Sequence, residues 1–293
     1  MADLVVLNYN DAETVLKFVE NIINYKTINH IIVVDNASSD NSYLKLKETL
    51  NSNKVHVIQT KGNGGYAKGN NYGIRYAIKN FKSKYIIISN PDVKFDENIV
   101  PILESKLHSK DIASVTGKMI CTSSVKLPMA WKLPSFKDCV LENLIILSKL
   151  IRNKSDYALN QVDDEGICVE AIPGSFFMID VDKVMEVGFF DENTFLYYEE
   201  NILGYKLKEK GYKQFLLPNC SYIHNHSVSI NKSIKSVSKR LKHAYDSREY
   251  YCLQYLKINK LEQLILHCTF YIGRVNFIFV KQVIKFFKGI TRP

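Results

Sequence analysis

Short apolar runs that stop at Asn, Asp or Gly organise the first 110 or so residues. Leu4-Val5-Val6-Leu7, Ile31-Ile32-Val33-Val34, Val55-His56-Val57-Ile58 and Tyr85-Ile86-Ile87-Ile88 each read as a buried strand. Helical spacing fills the gaps between them. Val15, Phe18, Val19, Ile22 and Ile23 recur at i, i+3, i+4, i+7 and i+8 within 12–25, and Leu44, Leu46 and Leu50 follow the second strand. Further helices are expected near 66–80 and 97–108. Strand and helix thus alternate four times, which predicts an α/β fold with a mostly parallel, Rossmann-like central sheet flanked by helices. In such a sheet the strand carboxyl ends share one edge, where ligands bind. Asn8-Tyr9-Asn10, Asp35 and Asn90-Pro91-Asp92 are all expected there, and Pro91 forces the chain out of the sheet.

The alternation fades between about 118 and 165, around Pro128, Trp131 and Pro134. Gly174–Ile179 then reads as a strand, Phe195–Glu200 runs into a helix carrying Leu203 and Leu207, and Phe215–Pro218 and Tyr222–His226 close the body. The expected division is a body over 1–231, with its acceptor and catalytic part in 118–165 and 174–226, followed by a basic helical region over 232–293.

Composition is that of a soluble globular chain, 46% apolar and 24% charged. No leader is read in residues 1–10, and no apolar run reaches the ~20 residues of a spanning helix. The six cysteines form no C-x-x-C pair, which suits a reducing, cytoplasmic setting and argues against structural zinc. Net charge is +9, unevenly placed: 232–293 holds 13 Lys and Arg against 3 Asp and Glu, and leaves a near-neutral body. Such a tail seeks polyanions. Arg274, Lys281, Lys285 and Lys288 share one helical stripe, opposite Phe279, Val283 and Phe286, and Lys232, Lys235, Lys239 and Lys242 form a similar row. A basic amphipathic helix fits peripheral binding to an anionic membrane, or packs on the body with its basic face in water. No nucleic-acid motif accompanies it.

Each polar cluster has two readings. Asp35 could accept from a base or ribose, or simply shape the Asp-Asn-Ala-Ser turn. Gly62-Asn63-Gly64-Gly65 could admit a nucleotide, with Asn70 and Asn71 offering hydrogen bonds, or merely start a helix. It follows the third strand, so the dinucleotide fingerprint does not apply. Asp92 could hold a hard cation, since Mg2+ needs only one or two carboxylates when a diphosphate supplies oxygens, and Mn2+ accepts an imidazole as well. Glu199 and Glu200 could stabilise a helix start, or serve as a general base if apolar neighbours desolvate one of them. His224 and His226 are candidate cation ligands or phosphate donors.

Together V-V-L-N-Y-N (5–10), V-V-D-N-A-S-S-D (33–40), N-G-G-Y-A-K-G-N-N-Y-G-I (63–74), S-N-P-D-V (89–93), G-S-F-F-M-I (174–179), G-F-F-D-E (188–192), F-L-Y-Y-E-E (195–200) and I-H-N-H (223–226) resemble the inverting family 2 glycosyltransferases of GT-A fold. Their rhamnosyltransferase branch is the most similar. The resemblance covers about residues 3–226. It implies that Tyr9 and Asp35 contact the base and that the 63–71 loop contacts the nucleoside. The nucleotide-sugar set is then Asn8, Tyr9, Asp35, Asn63, Gly65, Asn70 and Asn90. Asp92 takes the place of the family's metal-binding acid, Asn90 stands where its first aspartate would be, and His224 is the second candidate ligand for Mn2+ or Mg2+. Glu200 takes the position of the family's base, and Glu199 stays open. The family's further acid is absent at Ile202. The activity implied is transfer of rhamnose or a hexose from a dTDP- or UDP-linked donor to a glycan or lipid-linked oligosaccharide of a bacterial surface polysaccharide, at the inner face of the membrane. A nucleotidyltransferase and a degenerate nucleotide- or glycan-binding module are the competing readings.

Overall fold

The computed structural model describes residues 1–122, 128–144, 157, 165–225 and 236–290, with side chains to 277 in the last helix. Four parallel strands build the first half of one sheet: β1 (Ala2–Asn8), β2 (Ile28–Asp35), β3 (Val55–Gln59) and β4 (Tyr85–Ser89), in the order β3-β2-β1-β4. The helices between them are α1 (Ala12–Ile22), α2 (Ser42–Thr49) and α3 (Gly65–Phe81). The β-branched runs are buried on both faces, as parallel strands covered by helices must be. Val15, Phe18, Val19 and Ile22 of α1 seal one face, and Ala67, Ile74 and Ala77 of α3 the other. A Cβ on Gly73 would lie 2.6 Å from Val5 Cγ1 and 2.8 Å from Val34 Cγ2, so this glycine lets α3 sit directly on the sheet.

The second half is mixed. It contains β5 (Val93–Phe95), α4 (Ile99–Leu107), β6 (Ile112–Cys121), α5 (Phe136–Asn143), β7 (Ile167–Val169), β8 (Phe176–Asp180), α6 (Val181–Glu186), α7 (Glu199–Glu209) and β9 (Lys213–His224). The sheet continues β4-β8-β6-β9-β5, with β7 beside β9. The expected α/β class with a central sheet flanked by helices holds. The parallel part is the first four strands and the β6–β9 pair, whereas β8 runs antiparallel to both β4 and β6. The reason is where β8 starts. Phe176 pairs with Ser89, at the carboxyl end of β4, so Gly174 and Ser175 arrive at the ligand edge and the strand must run away from it. Pro218 sits inside β9, where the register against β6 jumps from Leu217 opposite Gly117 to Ser221 opposite Lys118. Such a bulge is how a strand accommodates a residue without an N–H.

Beyond the sheet lie α8 (Val237–Gln254) and α9 (Lys260–Ile290). They form a third core with α5 around Cys139, Tyr198, Ile202, Tyr245, Tyr251 and Leu266. The expected boundary at 231/232, His226, Lys232 and Lys235 fall outside the described residues, as do the side chains of Lys281, Lys285 and Lys288. Among the described residues no helix is long and apolar enough to cross a membrane.

Candidate active site

The edge turns are tied to one another first. Asn8 lies opposite Asp35 in the β1–β2 register, and its Nδ2 donates to Asp35 Oδ1 at 2.7 Å. The Asp35 carboxylate also accepts from Ser38 N at 3.0 Å, Ser38 Oγ at 2.6 Å and Gln59 Nε2 at 3.0 Å. Four donors saturate a carboxylate, and Asp35 is fully buried. It therefore organises the turn here, and a nucleoside would reach it only by displacing one of these donors. Asn10, at φ 54°, ties the first turn to the second: its N–H donates to Ser38 Oγ, and its Oδ1 accepts from Ser39 N. Tyr9, partly exposed, sits between these anchors.

The glycine segment packs on the candidate catalytic segment. Asn63 Oδ1 accepts from Asn36 Nδ2 at 3.1 Å and from Gly65 N at 3.0 Å. Gly65 has φ +85°, and a Cβ there would fall 2.0 Å from the Phe195 carbonyl oxygen. That same oxygen accepts from Tyr66 N at 3.1 Å. Only glycine fits this approach. Asn70 is buried and donates to Tyr66 O, while Asn71 holds Phe190 and Glu192. The asparagines of α3 thus brace the wall.

Asp92 and His224 meet across the sheet. Val93 pairs with His224 in the short β5–β9 ladder, and Asn225 N donates to Asp92 O at 3.0 Å. His224 Nε2 then lies 3.3 Å from Asp92 Oδ1, with both residues buried. A carboxylate oxygen and an imidazole nitrogen at the ligand edge are a donor set that Mn2+ accepts beside phosphate oxygens, whereas Mg2+ would take the carboxylate alone. Among the described residues no three His, Cys, Asp or Glu gather as a complete cage.

Glu199 and Glu200 open α7. Glu199 is buried, and no described residue hydrogen-bonds its Oε1. Burial, then the neighbouring Glu200 carboxylate, pushes the Glu199 carboxyl well above the usual range. Burial raises Glu200 too, offset in part by backbone hydrogen bonds, the one from Gly174 among them. The helix N-terminus favours the ionised forms, yet burial outweighs it. Both carboxyls therefore hold their protons more tightly than a free carboxyl, as a general base sheltered from water does.

One residue joins these parts. Gly174 N donates to Glu200 Oε1 at 3.2 Å, and Gly174 O accepts from the Tyr66 hydroxyl at 2.5 Å. The next carbonyl, Ser175 O, accepts from Asn90 N at 2.8 Å. The glutamates, the glycine segment and the Asn90-Pro91-Asp92 turn are thus linked through two consecutive residues. The sequence motif containing Gly174 was visible, but its role as a junction was not, nor was that of Tyr66.

Helix α8 grips the same segment from behind. Tyr197 and Tyr198 have φ 73° and 70°, conformations that cost a non-glycine residue energy. The Tyr198 hydroxyl donates to Glu142 Oε2 at 2.9 Å and accepts from Arg248 Nε at 3.1 Å, and Arg248 Nη2 pairs with Glu142 at 2.9 Å. Ser247 Oγ donates to Leu196 O at 3.0 Å, and His243 stacks on Phe195 at 4.7 Å. Tyr250 donates to Asp191 Oδ2 at 2.9 Å, and Tyr255 donates to the same oxygen. The gripped residues lie in the F-L-Y-Y-E-E and G-F-F-D-E motifs, but His243, Ser247, Arg248, Tyr250 and Tyr255 are not singled out by the sequence, where α8 shows first as a row of lysines.

A family model described as glycosyl transferase family 2 matches residues 3–182. The hexosyltransferase Agl10 of low-salt glycan biosynthesis, from Haloferax volcanii, is 23% identical over 225 residues, 77% of this chain and 67% of that protein. GalNAc-T7, solved with UDP, GalNAc and Mn2+, superposes with a TM-score of 0.61 at 16% identity, over 87% of this chain and 48% of that one. The mannosyltransferase PcManGT from Pyrobaculum calidifontis, solved with GDP-Man and Mn2+, superposes with a TM-score of 0.55 at 14% identity, over 92% and 68%. At these identities the solved structures speak for the fold.

Proposed function

The chain belongs to glycosyl transferase family 2, and from that premise we propose that it moves rhamnose or a hexose, with inversion, from a UDP- or dTDP-linked donor to a hydroxyl of a growing, lipid-held surface glycan at the cytoplasmic face of a membrane. The observation that carries this is the Gly174-Ser175 junction, which links a tuned glutamate pair to the Asp92–His224 pair. The name of the Haloferax volcanii relative, a hexosyltransferase of glycan biosynthesis, supports a glycan acceptor.

In this reading the nucleoside lies over the β1 and β2 carboxyl ends, against Tyr9 and the 63–71 segment. Strand spacing puts β2 about 10 Å from β4, a span suited to a nucleotide whose diphosphate reaches Asn90 and Asp92. Asp92 and His224 would hold the divalent cation, which when bound supplies charge neutralisation at the leaving diphosphate. Glu200 takes the proton from the acceptor hydroxyl as that oxygen attacks the anomeric carbon. Gly174 N orients the carboxylate, and Tyr66 fixes Gly174. Glu199 is buried beside it, and its own carboxyl is raised by burial and by the Glu200 carboxylate.

A panel of nucleotide sugars assayed with and without Mn2+, for the wild type and Glu200→Gln, tests the reading. Transfer should fall by about 10²–10⁴-fold in the variant, the usual worth of a general base, while calorimetry shows the donor still bound. Wild-type turnover by Glu200→Gln, together with loss in Glu199→Gln, would reassign the base. Nucleotide binding without transfer or donor hydrolysis by the wild type would leave a binding module.

A further inference from the structure

Helix α9 has one face on the body and one that no described residue covers. Leu266 is fully buried, and a Cβ on Gly273 would lie 1.8 Å from Asn143 O, so α9 and α5 touch backbone to backbone. On the other side Leu261, Leu264, Ile265, Tyr271, Ile272 and Val275 are 40–67% exposed. At 100° per residue these six fall within an arc of about 120°. By sequence spacing alone, Phe279, Val283, Phe286 and Ile290 return to the same arc, about five turns after Leu261, Ile265, Cys268 and Ile272. The helix is 31 residues long, about 46 Å. Monomeric proteins rarely leave so long an apolar stripe in water.

Charge selects what covers it. From 260 onward the chain has one acid, Glu262, against Lys260, Arg274, Lys281, Lys285, Lys288 and Arg292. Arg274 lines a cavity of about 360 Å³ together with Lys239, Lys242 and Arg248 of α8, and Tyr271, from the edge of the stripe, lines it too; Glu142 and Asp246 offset Arg248 at 2.9 Å and Lys242 at 2.7 Å, which leaves Lys239 and Arg274 as the excess charge. The stripe is therefore bordered by cations from two helices. A second copy docking stripe to stripe would align two such cationic borders, which repel. An anionic lipid surface satisfies both features at once: acyl chains for the stripe, headgroups for the cations.

We propose that α9 lies in the plane of an anionic bilayer, with the stripe from Leu261 to Val275 sunk at the headgroup–acyl boundary and the Lys239, Lys242 and Arg274 cavity facing the phosphates. This deepens the reading of a lipid-held acceptor and rests on it only for its biological use. The basic row expected from the sequence becomes the flank of the contact, and the apolar stripe its centre.

The test is sedimentation of the full chain with phosphatidylcholine vesicles, with and without phosphatidylglycerol. Wild type should pellet with the anionic vesicles and lose about tenfold in affinity at high salt. Leu264→Glu/Ile272→Glu, at two exposed sites, should lose tenfold or more while keeping its helical circular dichroism and donor hydrolysis. Lys239→Glu/Arg274→Glu should lose binding to the anionic vesicles. Failure of the wild type to pellet, unchanged binding by Leu264→Glu/Ile272→Glu, or a wild-type dimer in ultracentrifugation that this variant abolishes would each overturn the proposal. Donor hydrolysis is read without vesicles, so its absence beside intact vesicle binding would sink the transferase reading and leave this one standing.

Discussion

Gly174→Ala probes the junction with a single carbon. Gly174 does not adopt a left-handed conformation, so alanine adds no backbone strain there. The new Cβ would lie 2.6 Å from Glu200 Oε1 and 3.1 Å from the Tyr66 hydroxyl. Ordinary contact begins near 3.4 Å, so the carboxylate must retreat by about 0.8 Å. Its hydrogen bond from Gly174 N, already 3.2 Å long, then passes the limit for a real bond. A hydrogen bond to a charged group contributes about 1.5–3 kcal/mol. That bond favours the ionised form of Glu200, so its loss should move the carboxyl further upward. A base must be ionised to act. The acid limb of kcat should therefore shift to higher pH, and kcat at neutral pH should fall, by at most the ~10–100-fold that the lost bond is worth. Donor affinity should hold, because the β1–β2 turns are untouched. A pH–rate profile and donor calorimetry measure both. A variant with wild-type kcat and an unmoved acid limb would refute the claim that the Gly174 contact sets the base.

Three further outcomes are expected. Asp92→Ala should abolish the Mn2+-dependent part of donor binding, measured by calorimetry with nucleotide in the presence of Mn2+ and of chelator; equal affinity in both would remove Asp92 from the cation site. Arg248→Met should lower kcat by tenfold or more at unchanged donor affinity, because Tyr198 loses the charge-assisted bond that holds it (about 1.5–3 kcal/mol), and Arg248→Lys should not rescue a planar, three-way contact. Glu199→Gln should raise the urea midpoint at high pH and leave it unchanged at low pH. The Glu199 carboxyl is raised in the folded state, so stability is fully present below its ordinary range and lost as pH climbs through the raised value; equal pH dependence in variant and wild type would contradict this.

The parallel half was legible because its strands are near-continuous Ile and Val runs ending in Asn or Asp turns, a pattern that buried parallel strands impose. Strand β6 escaped notice for the opposite reason. Its Ser114 and Thr116 are buried, but satisfied by Gln214 Oε1 at 2.8 Å and Phe176 O at 2.7 Å, so the run does not look apolar. Asp92 and His224 each read as candidate donors, and the sequence alone gives no ground for bringing them together. Their partnership depends on an antiparallel ladder between segments far apart in the chain, which no local pattern encodes. Asp35 shows the limit from the other side: a well-placed carboxylate whose four donors are supplied by its own turn and by neighbouring strands. The aromatic grip of α8 was hidden because His243, Ser247, Tyr250 and Tyr251 form a face of mixed polarity that Lys239 borders at helical spacing, so no apolar stripe stands out.

The family match ends at residue 182, before Glu199, Glu200 and His224. The candidate donor-binding residues therefore lie within the matched part, and the candidate base and candidate second cation ligand lie beyond it. What connects the two is physical. Ser175 O and Gly174 N sit at the start of β8, inside the matched part, and reach forward to Asn90 and Glu200. On the far side, two consecutive tyrosines at positive φ cost about 1–3 kcal/mol each. They persist because α8 and α5 surround Tyr198 with Arg248, Glu142 and Cys139. The position of Glu200 is thus set by the matched sheet on one side and by the C-terminal helices on the other. A transferase activity that survived disruption of α8 would mean that the strain at Tyr198 is relieved by other means, and that the glutamate pair is positioned by the Gly174 contact alone.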